Sequence, residues 1–122
     1  MARSTTDRLA AHQARYRQLA ERITEIGFIQ AGSITQVHNR CGKSNCRCHA
    51  DPPRLHGPYW QWTAKANGKT VSKRLNDSEA RLYQQWIAND RELRDLIAQM
   101  RQVAAKATEL IMKEAASTQA RV

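Results

Sequence analysis

Glycine and proline are absent from most of this chain. None precedes Gly27 and none follows Gly68. Cysteine is confined to positions 41, 46 and 48, and aromatic residues are few, with one phenylalanine. Each scarcity excludes something. Two long stretches without helix breakers exclude a loop-rich architecture and leave room for helices. Three cysteines cannot all pair within one chain, so a disulfide framework is not expected. No apolar run approaches the roughly 20 residues of a membrane span. Near the start, Arg3 and Arg8 lack the apolar stretch of a signal peptide. A cytoplasmic location and no membrane partner are the resulting expectations. Phosphate-cradling glycine loops, a nucleophile elbow, Cys-x-x-Cys and neighbouring paired carboxylates are also missing, so no enzymatic activity is expected.

What the flanks lack is gathered in the middle. Residues 32–75 hold every cysteine and proline, four of the five glycines, and three of the four histidines. The formal charge of the chain is +9, from 20 basic and 11 acidic residues. Between positions 28 and 76 stand Arg40, Lys43, Arg47, Arg54, Lys65, Lys69, Lys73 and Arg74 against a single acid, Asp51. A basic excess confined to one stretch is the footprint of a phosphate-binding surface.

The fold class expected is α+β, in one domain over 1–122: an N-terminal helix, a zinc-pinned three-stranded antiparallel sheet and a long C-terminal helix. The first helix, 5–27, starts at Ser4 with Asp7 three residues on. Leu9, His12, Tyr16, Leu19, Ile23 and Ile26 mark one face, and Gly27 is a plausible stop. His12 in this seam needs no chemical role. The β module covers 32–75, with a first strand over 32–39 and a hairpin of 59–65 and 70–75. Asn67-Gly68 suits a two-residue type I′ turn, which needs positive φ at both positions. That turn pairs Trp62 with Lys73 and Trp60 with Leu75, and shared faces follow. Trp60, Trp62, Ala64, Val71 and Leu75 form a core face on which Lys73 is the misfit. Tyr59, Gln61, Thr63, Lys65, Thr70, Ser72 and Arg74 form a polar face.

The last helix is expected over 77–115, with a frayed tail from about Ser117. Asn76 and Glu79 form a capping box, and Leu75 is placed to staple onto Ala80. Leu82, Trp86, Leu93, Leu96, Met100, Val103, Ala107 and Leu110 follow heptad-like spacing, with polar Asn89 inside the seam. Such a helix would run about 57 Å. Its second half needs the first helix, a second copy in a coiled-coil dimer, or another helical partner to cover it.

Three thiolates and an imidazole suit tetrahedral zinc, so Zn2+ is the cofactor expected, on Cys41, Cys46, Cys48 and His56. Gly42 would permit a tight knuckle. His56 is favoured as fourth ligand because it would tie the loop to the hairpin. His49 adjoins Cys48, which strains joint coordination, and His38 is the next candidate. A catalytic zinc would need an open position and a base, for which Asp51 is the one nearby acid.

The segments Gly32-Ser-Ile, Cys41-Gly-Lys-x-x-Cys46-x-Cys48, His56-Gly-Pro-Tyr59 and Gly68-Lys-Thr70, followed by a helix bearing Trp86, resemble an uncharacterised family of small bacterial and archaeal proteins. The resemblance spans about residues 30–90, and some members are associated with transposase-like genes. Separately, a three-stranded sheet followed by a helix looks like the arm-type DNA-binding domains of tyrosine integrases, which lay the sheet in the major groove. Those domains do not require the cysteine cluster.

The function expected is therefore DNA binding, with RNA as the closest variant, through Arg40, Lys43, Arg47, Arg54, Gln61, Thr63, Lys65, Lys69, Ser72 and Arg74. In the RNA variant Tyr59 would stack an unpaired base. The alternative is a helix-mediated interaction or assembly module, antitoxin- or adaptor-like, with purely structural zinc.

Overall fold

The computed structural model describes residues 4–120. Arg3 and the last two residues of the tail lie outside the described residues. The element order is α1 (Thr5–Thr24), β1 (Ser33–Asn39), a short 3-10 turn (Arg47–His49), β2 (His56–Ala66), β3 (Lys69–Leu75) and α2 (Asp77–Ala120). The α+β layout is the one the sequence implies. The described chain divides into two compact units, residues 4–27 with 91–120 and residues 28–90.

In the first unit α1 runs antiparallel to residues 91–120 of α2. Arg22 pairs with Glu92 at 3.7 Å, and Arg15 donates to Gln99 at 3.3 Å. Leu19, Leu96 and Leu110 are buried, so leucines from both helices form the core of this unit. The first helix thus covers the second half of α2. The N-terminal cap is present: Ser4 Oγ accepts from the Asp7 amide at 3.1 Å. The helix stops at Thr24, three residues short of the expected end. Thr24 turns its hydroxyl back onto the Glu21 carbonyl at 2.6 Å, and the Glu25 amide closes a tighter i−3 bond to Arg22. The Ile26 amide bonds to Ile23 in the same i−3 way, a tightened last turn of the kind common at helix ends. Gly27 is therefore not the stop. At its other end α2 continues as helix to Ala120, past the expected boundary near 115.

In the second unit the sheet order is β1-β2-β3, antiparallel throughout. The hairpin register is the expected one, from Lys65 opposite Thr70 to Trp60 opposite Leu75. Asn67 and Gly68 have φ of 52° and 77°, as a type I′ turn demands. One sheet face packs on residues 77–90 of α2. Trp62, Tyr83 and Trp86 form a tilted aromatic series with centroids 5.4 and 5.2 Å apart. Lys73, the misfit on this face, places its ammonium 5.9 Å from the centre of the Tyr83 ring. Its charge is thereby accommodated as a cation–π contact.

The α2 N-terminus carries both halves of the capping box. The Asn76 amide donates to Glu79 Oε1 at 3.0 Å, and the Glu79 amide donates to Asn76 Oδ1 at 2.8 Å. Leu75 and Ala80, the staple pair, are both buried. Trp60 Nε1 donates to Asp77 at 3.0 Å, joining sheet to helix start.

Three expected core positions are exposed, among them Tyr16 on α1 at 41%. Leu82 is 52% exposed, because the face of α2 toward the sheet is set by Ala80, Tyr83, Trp86 and Ile87, not by the heptad extrapolated from the helix pair. Val71 is 38% exposed; its cross-strand neighbour Ala64 offers only a methyl group near the hairpin tip.

Candidate functional site

The four expected ligands converge. One donor atom each from Cys41, Cys46, Cys48 and His56 lies within 4.8 Å of the others, a group that could hold a metal ion. Cys46 Sγ stands 3.2 Å from His56 Nε2, and Cys41 Sγ stands 3.6 Å from Cys48 Sγ. Cys48 is fully buried, while the other three are partly exposed.

Local backbone geometry makes this convergence. The Cys46 amide donates to the Lys43 carbonyl, and the His49 amide to the Cys46 carbonyl, so the chain folds back at each cysteine. The Arg47 carbonyl takes the Ala50 and Arg54 amides, which closes the loop. The Cys41 amide donates to Cys48 Sγ at 3.2 Å, a backbone N–H to sulfur bond that orients a ligand. The chain bends at Gly42, but the bend does not require a glycine. Its φ is not positive, and a Cβ there would meet nothing within 4 Å.

His56 arrives from the sheet. Strand β2 begins at His56, earlier than expected, and the pairing of β1 with β2 shifts between Val37 and Asn39. An extra residue on β2 at this bulge redirects His56 toward the cysteines. Gly57 has φ of 122°, and a Cβ there would sit 2.7 Å from the Val37 carbonyl oxygen. Glycine is therefore required where the bulge presses on β1. His49 is outside the ligand group. Its Nε2 lies 2.6 Å from the Cys41 carbonyl oxygen, so that nitrogen carries the proton and donates. His38 is likewise not part of the group.

The thiols are electrostatically unequal. Cys46 is lowered to about 6, first by the Cys48 amide beside its sulfur and then by the Cys41 thiol, with Cys48 and His56 adding to it against desolvation. Cys41 is raised. The Lys43 amide acts to lower it, but burial, hydrogen bonds with Cys48 and Cys46 and the charge of Cys46 together outweigh that.

A scan of protein families matches one model, described as Domain of unknown function (DUF6788), to residues 9–84. The chain belongs to this family. The DUF6788 match takes in most of α1, the whole cysteine cluster, the sheet and the first turns of α2. No curated protein and no solved structure matches the chain. No helix among the described residues is long and apolar enough to cross a membrane.

The sheet face opposite α2 gathers Gln61, Thr63, Lys65, Ser72 and Arg74, half of the ten expected nucleic-acid residues of this DUF6788 chain. Strand β1 adds Ser33 beside Thr63 and Thr35 beside Gln61. Rows therefore cross all three strands: Ser33, Thr63, Ser72, then Thr35, Gln61, Arg74. Thr63 and Ser72 hydroxyls approach to 3.4 Å. Arg74 lies over the Tyr59 ring with its guanidinium carbon 4.0 Å from the centroid. Lys65 shares this face, opposite Thr70. Lys69 does not. It pairs with Ala66 and so shares the side of Trp62 and Ala64 at the hairpin tip. Arg40, Lys43, Arg47 and Arg54 are exposed around the knuckle.

Proposed function

We propose that this protein binds DNA with the polar face of its sheet, and that a zinc ion pins the knuckle that orients that face. The observation that carries the reading is the pair of rows across three strands. Hydroxyls, an amide and a guanidinium project from one side, while the two tryptophans of β2 are committed to α2 on the other. A β ribbon with such side chains fits a major groove: Gln61 reaches base edges, hydroxyls serve either base edges or phosphates, and Lys65, Arg40, Lys43, Arg47 and Arg54 neutralise phosphates. The placement of Arg74 over Tyr59 disfavours the RNA variant, since the guanidinium occupies a ring face that a base would need.

Zinc is proposed from donor chemistry and spacing. Tetrahedral bonds of about 2.0–2.3 Å put neighbouring donor atoms about 3.5–3.8 Å apart. The 3.6 Å and 3.2 Å separations are close to that. Four protein donors fill a tetrahedron and leave no open position for a reaction, so the ion's role is structural and the reading assigns no catalysis. The motif-level likeness to proteins near transposase-like genes fits an accessory or regulator acting on DNA in the cytoplasm.

The test is fluorescence anisotropy on a duplex across a salt series. Binding weakens steeply as salt rises, with a log–log slope of about 0.9 per phosphate neutralised. The double variant Lys65→Glu, Arg74→Glu weakens binding while metal content stays unchanged. Salt-insensitive affinity, or a double variant that binds as well as the parent, would sink the reading.

A second reading has its own observation. Ile111 and Met112 are 48% and 67% exposed on the helical unit. Apolar groups so placed suit a helix-mediated dimer or a helical protein partner. Sedimentation equilibrium decides it, with Met112→Glu expected to shift the mass if the helix is the contact. The two readings are compatible, because a dimer would carry two basic modules to one duplex.

A further inference from the structure

Beside the metal cluster a cleft of about 380 Å³ opens, lined by Asn39, Arg40, Cys41, His56, Tyr59 and Arg74. We infer that this cleft is a phosphate clamp, in which Arg40 and Arg74 hold one backbone phosphate of the bound nucleic acid. The inference rests on the DNA-binding reading and names its anchoring contact.

Charge and geometry point the same way. The two guanidiniums come from different elements, Arg40 from just after β1 and Arg74 from β3, and both border one cavity. Neither has a carboxylate partner in the ion pairs of the described residues. Arg74 is held in place by the Tyr59 ring. A guanidinium stacked on a ring keeps its N–H edge free for a bidentate oxyanion and loses less freedom on binding. The lining carries no Asp or Glu, so the Cys41 sulfur is the one side chain in it that can bear negative charge. Three thiolates around a divalent ion would leave the knuckle with net negative charge. Two guanidiniums more than offset it, and that charge also draws Arg40 and Arg74 toward the cleft.

The cleft is continuous with the polar rows. A second depression of about 240 Å³ shares Asn39, Tyr59 and Arg74 with it and extends to Gln61 and Ser72. A phosphate in the clamp therefore sets the register for groups that meet Gln61. The bulge has a second consequence here. It orders the metal ligand His56 and places Tyr59 three residues later, so pinning the knuckle also shapes the clamp.

The experiment uses the full-length, metal-loaded protein in two arms. In the first, Arg40→Ala, Arg74→Ala and Arg74→Lys are titrated with a labelled duplex over a salt series beside Arg101→Ala, a control on the helical unit. Each alanine variant is expected to lose about ten-fold or more in affinity and part of the roughly 0.9 that one phosphate contributes to the salt slope. Arg74→Lys recovers the slope but not the full affinity, because an ammonium cannot make the two parallel bonds. In the second arm, inorganic phosphate is titrated against the parent while amide and arginine side-chain resonances are followed. Shifts at Arg40, Tyr59 and Arg74, with none at Arg101, support the clamp. If the parent binds DNA and the Arg40 and Arg74 variants match Arg101→Ala, the clamp is wrong and DNA binding stands. If the parent fails to bind DNA but phosphate shifts those three residues, the clamp holds for free phosphate or a small phosphorylated ligand, and the DNA reading is wrong. Absence of both effects overturns both. Metal content and circular dichroism of each variant separate lost contacts from lost fold.

Discussion

Cys46 Sγ and His56 Nε2 stand 3.2 Å apart, although they lie ten positions apart in the chain across a proline-containing loop. One belongs to the knuckle and the other opens β2, so a metal held between them fixes the loop to the sheet. His56→Ala is expected to lower metal content below the one ion per chain expected of the parent. His56→Cys keeps it, because a fourth thiolate completes the same tetrahedron. Elemental analysis of reduced, purified protein decides this. Chelation should also speed hydrogen exchange at the His49, Ala50 and Arg54 amides, whose acceptors are the Cys46 and Arg47 carbonyls. Equal exchange with and without metal would mean that the knuckle holds itself.

The unequal thiols give a pH signature in the metal-free, reduced protein. Cys46, at about 6 against an ordinary 9.0, is largely thiolate at neutral pH, while Cys41 is raised. Iodoacetamide at pH 7 should therefore modify Cys46 first, and its rate should fall as pH drops through about 6. The sign for stability follows from the same shift. A folded-state value below the unfolded one adds stability that is complete above about 9 and is lost as pH falls toward 6. Mass spectrometry of the alkylated peptides reads the order of reaction. Cys41 reacting ahead of Cys46 would contradict the assignment, and metal should protect all three.

Gly32 and Gly42 make a paired test of backbone demand. Gly32 has φ of +108°, and a Cβ there would lie 2.5 Å from the Thr63 carbonyl oxygen and 2.7 Å from Trp62 Nε1. That nitrogen is already committed to the Ala31 carbonyl at 2.8 Å. Gly32→Ala should cost about 2 kcal/mol or more, since both strain and a clash with backbone are involved. Gly42→Ala should change stability by less than about 0.5 kcal/mol. Urea denaturation of both variants measures the difference, and comparable losses would show that the knuckle needs its glycine after all.

Much of this architecture is legible where local chemistry leaves one solution. Asn67-Gly68 fixes the hairpin register, and the register alone separates the tryptophan face from the polar face. It also places Lys69 opposite Ala66, off the polar face, a consequence present in the sequence and easily overlooked. Asn76 and Glu79 announce the α2 start. Cysteine spacing and His56 before the hairpin point to the ligand set. Other features depend on partners distant in the chain. The bulge opposite residues 37–39 leaves no periodic trace, because it arises from how β1 meets β2. Leu82 fits the heptad but faces outward, since the first turns of α2 pack on a sheet and not on a helix. The last turn of α1 tightens to i−3 bonds at Glu25 and Ile26, ahead of Gly27, and no residue type at those positions announces it. Nothing in spacing reveals that Arg40 and Arg74 border one cleft.

Asn89 shows how a residue that disturbs a pattern can serve it. It interrupts the apolar seam of α2, yet its Nδ2 donates to the Phe28 carbonyl at 2.8 Å. Gln85 Nε2 donates to Asn89 Oδ1 at 3.0 Å, which orients the amide so that its nitrogen faces Phe28. One turn earlier the Trp86 carbonyl accepts from the Gln30 amide at 3.1 Å. Together these bonds fasten the segment that leads into β1 along the helix. Asn89→Ala should lose about 1 kcal/mol, the net worth of one such bond. Asn89→Asp is the sharper probe. It keeps an acceptor for Gln85 but sets a carboxylate against the Phe28 carbonyl, so it should be the more destabilising of the two. Exchange at the Gln30 amide should quicken in the same order. Denaturation showing Asn89→Asp as stable as the parent would mean that the Phe28 bond contributes nothing and that the seam tolerates Asn89 without using it.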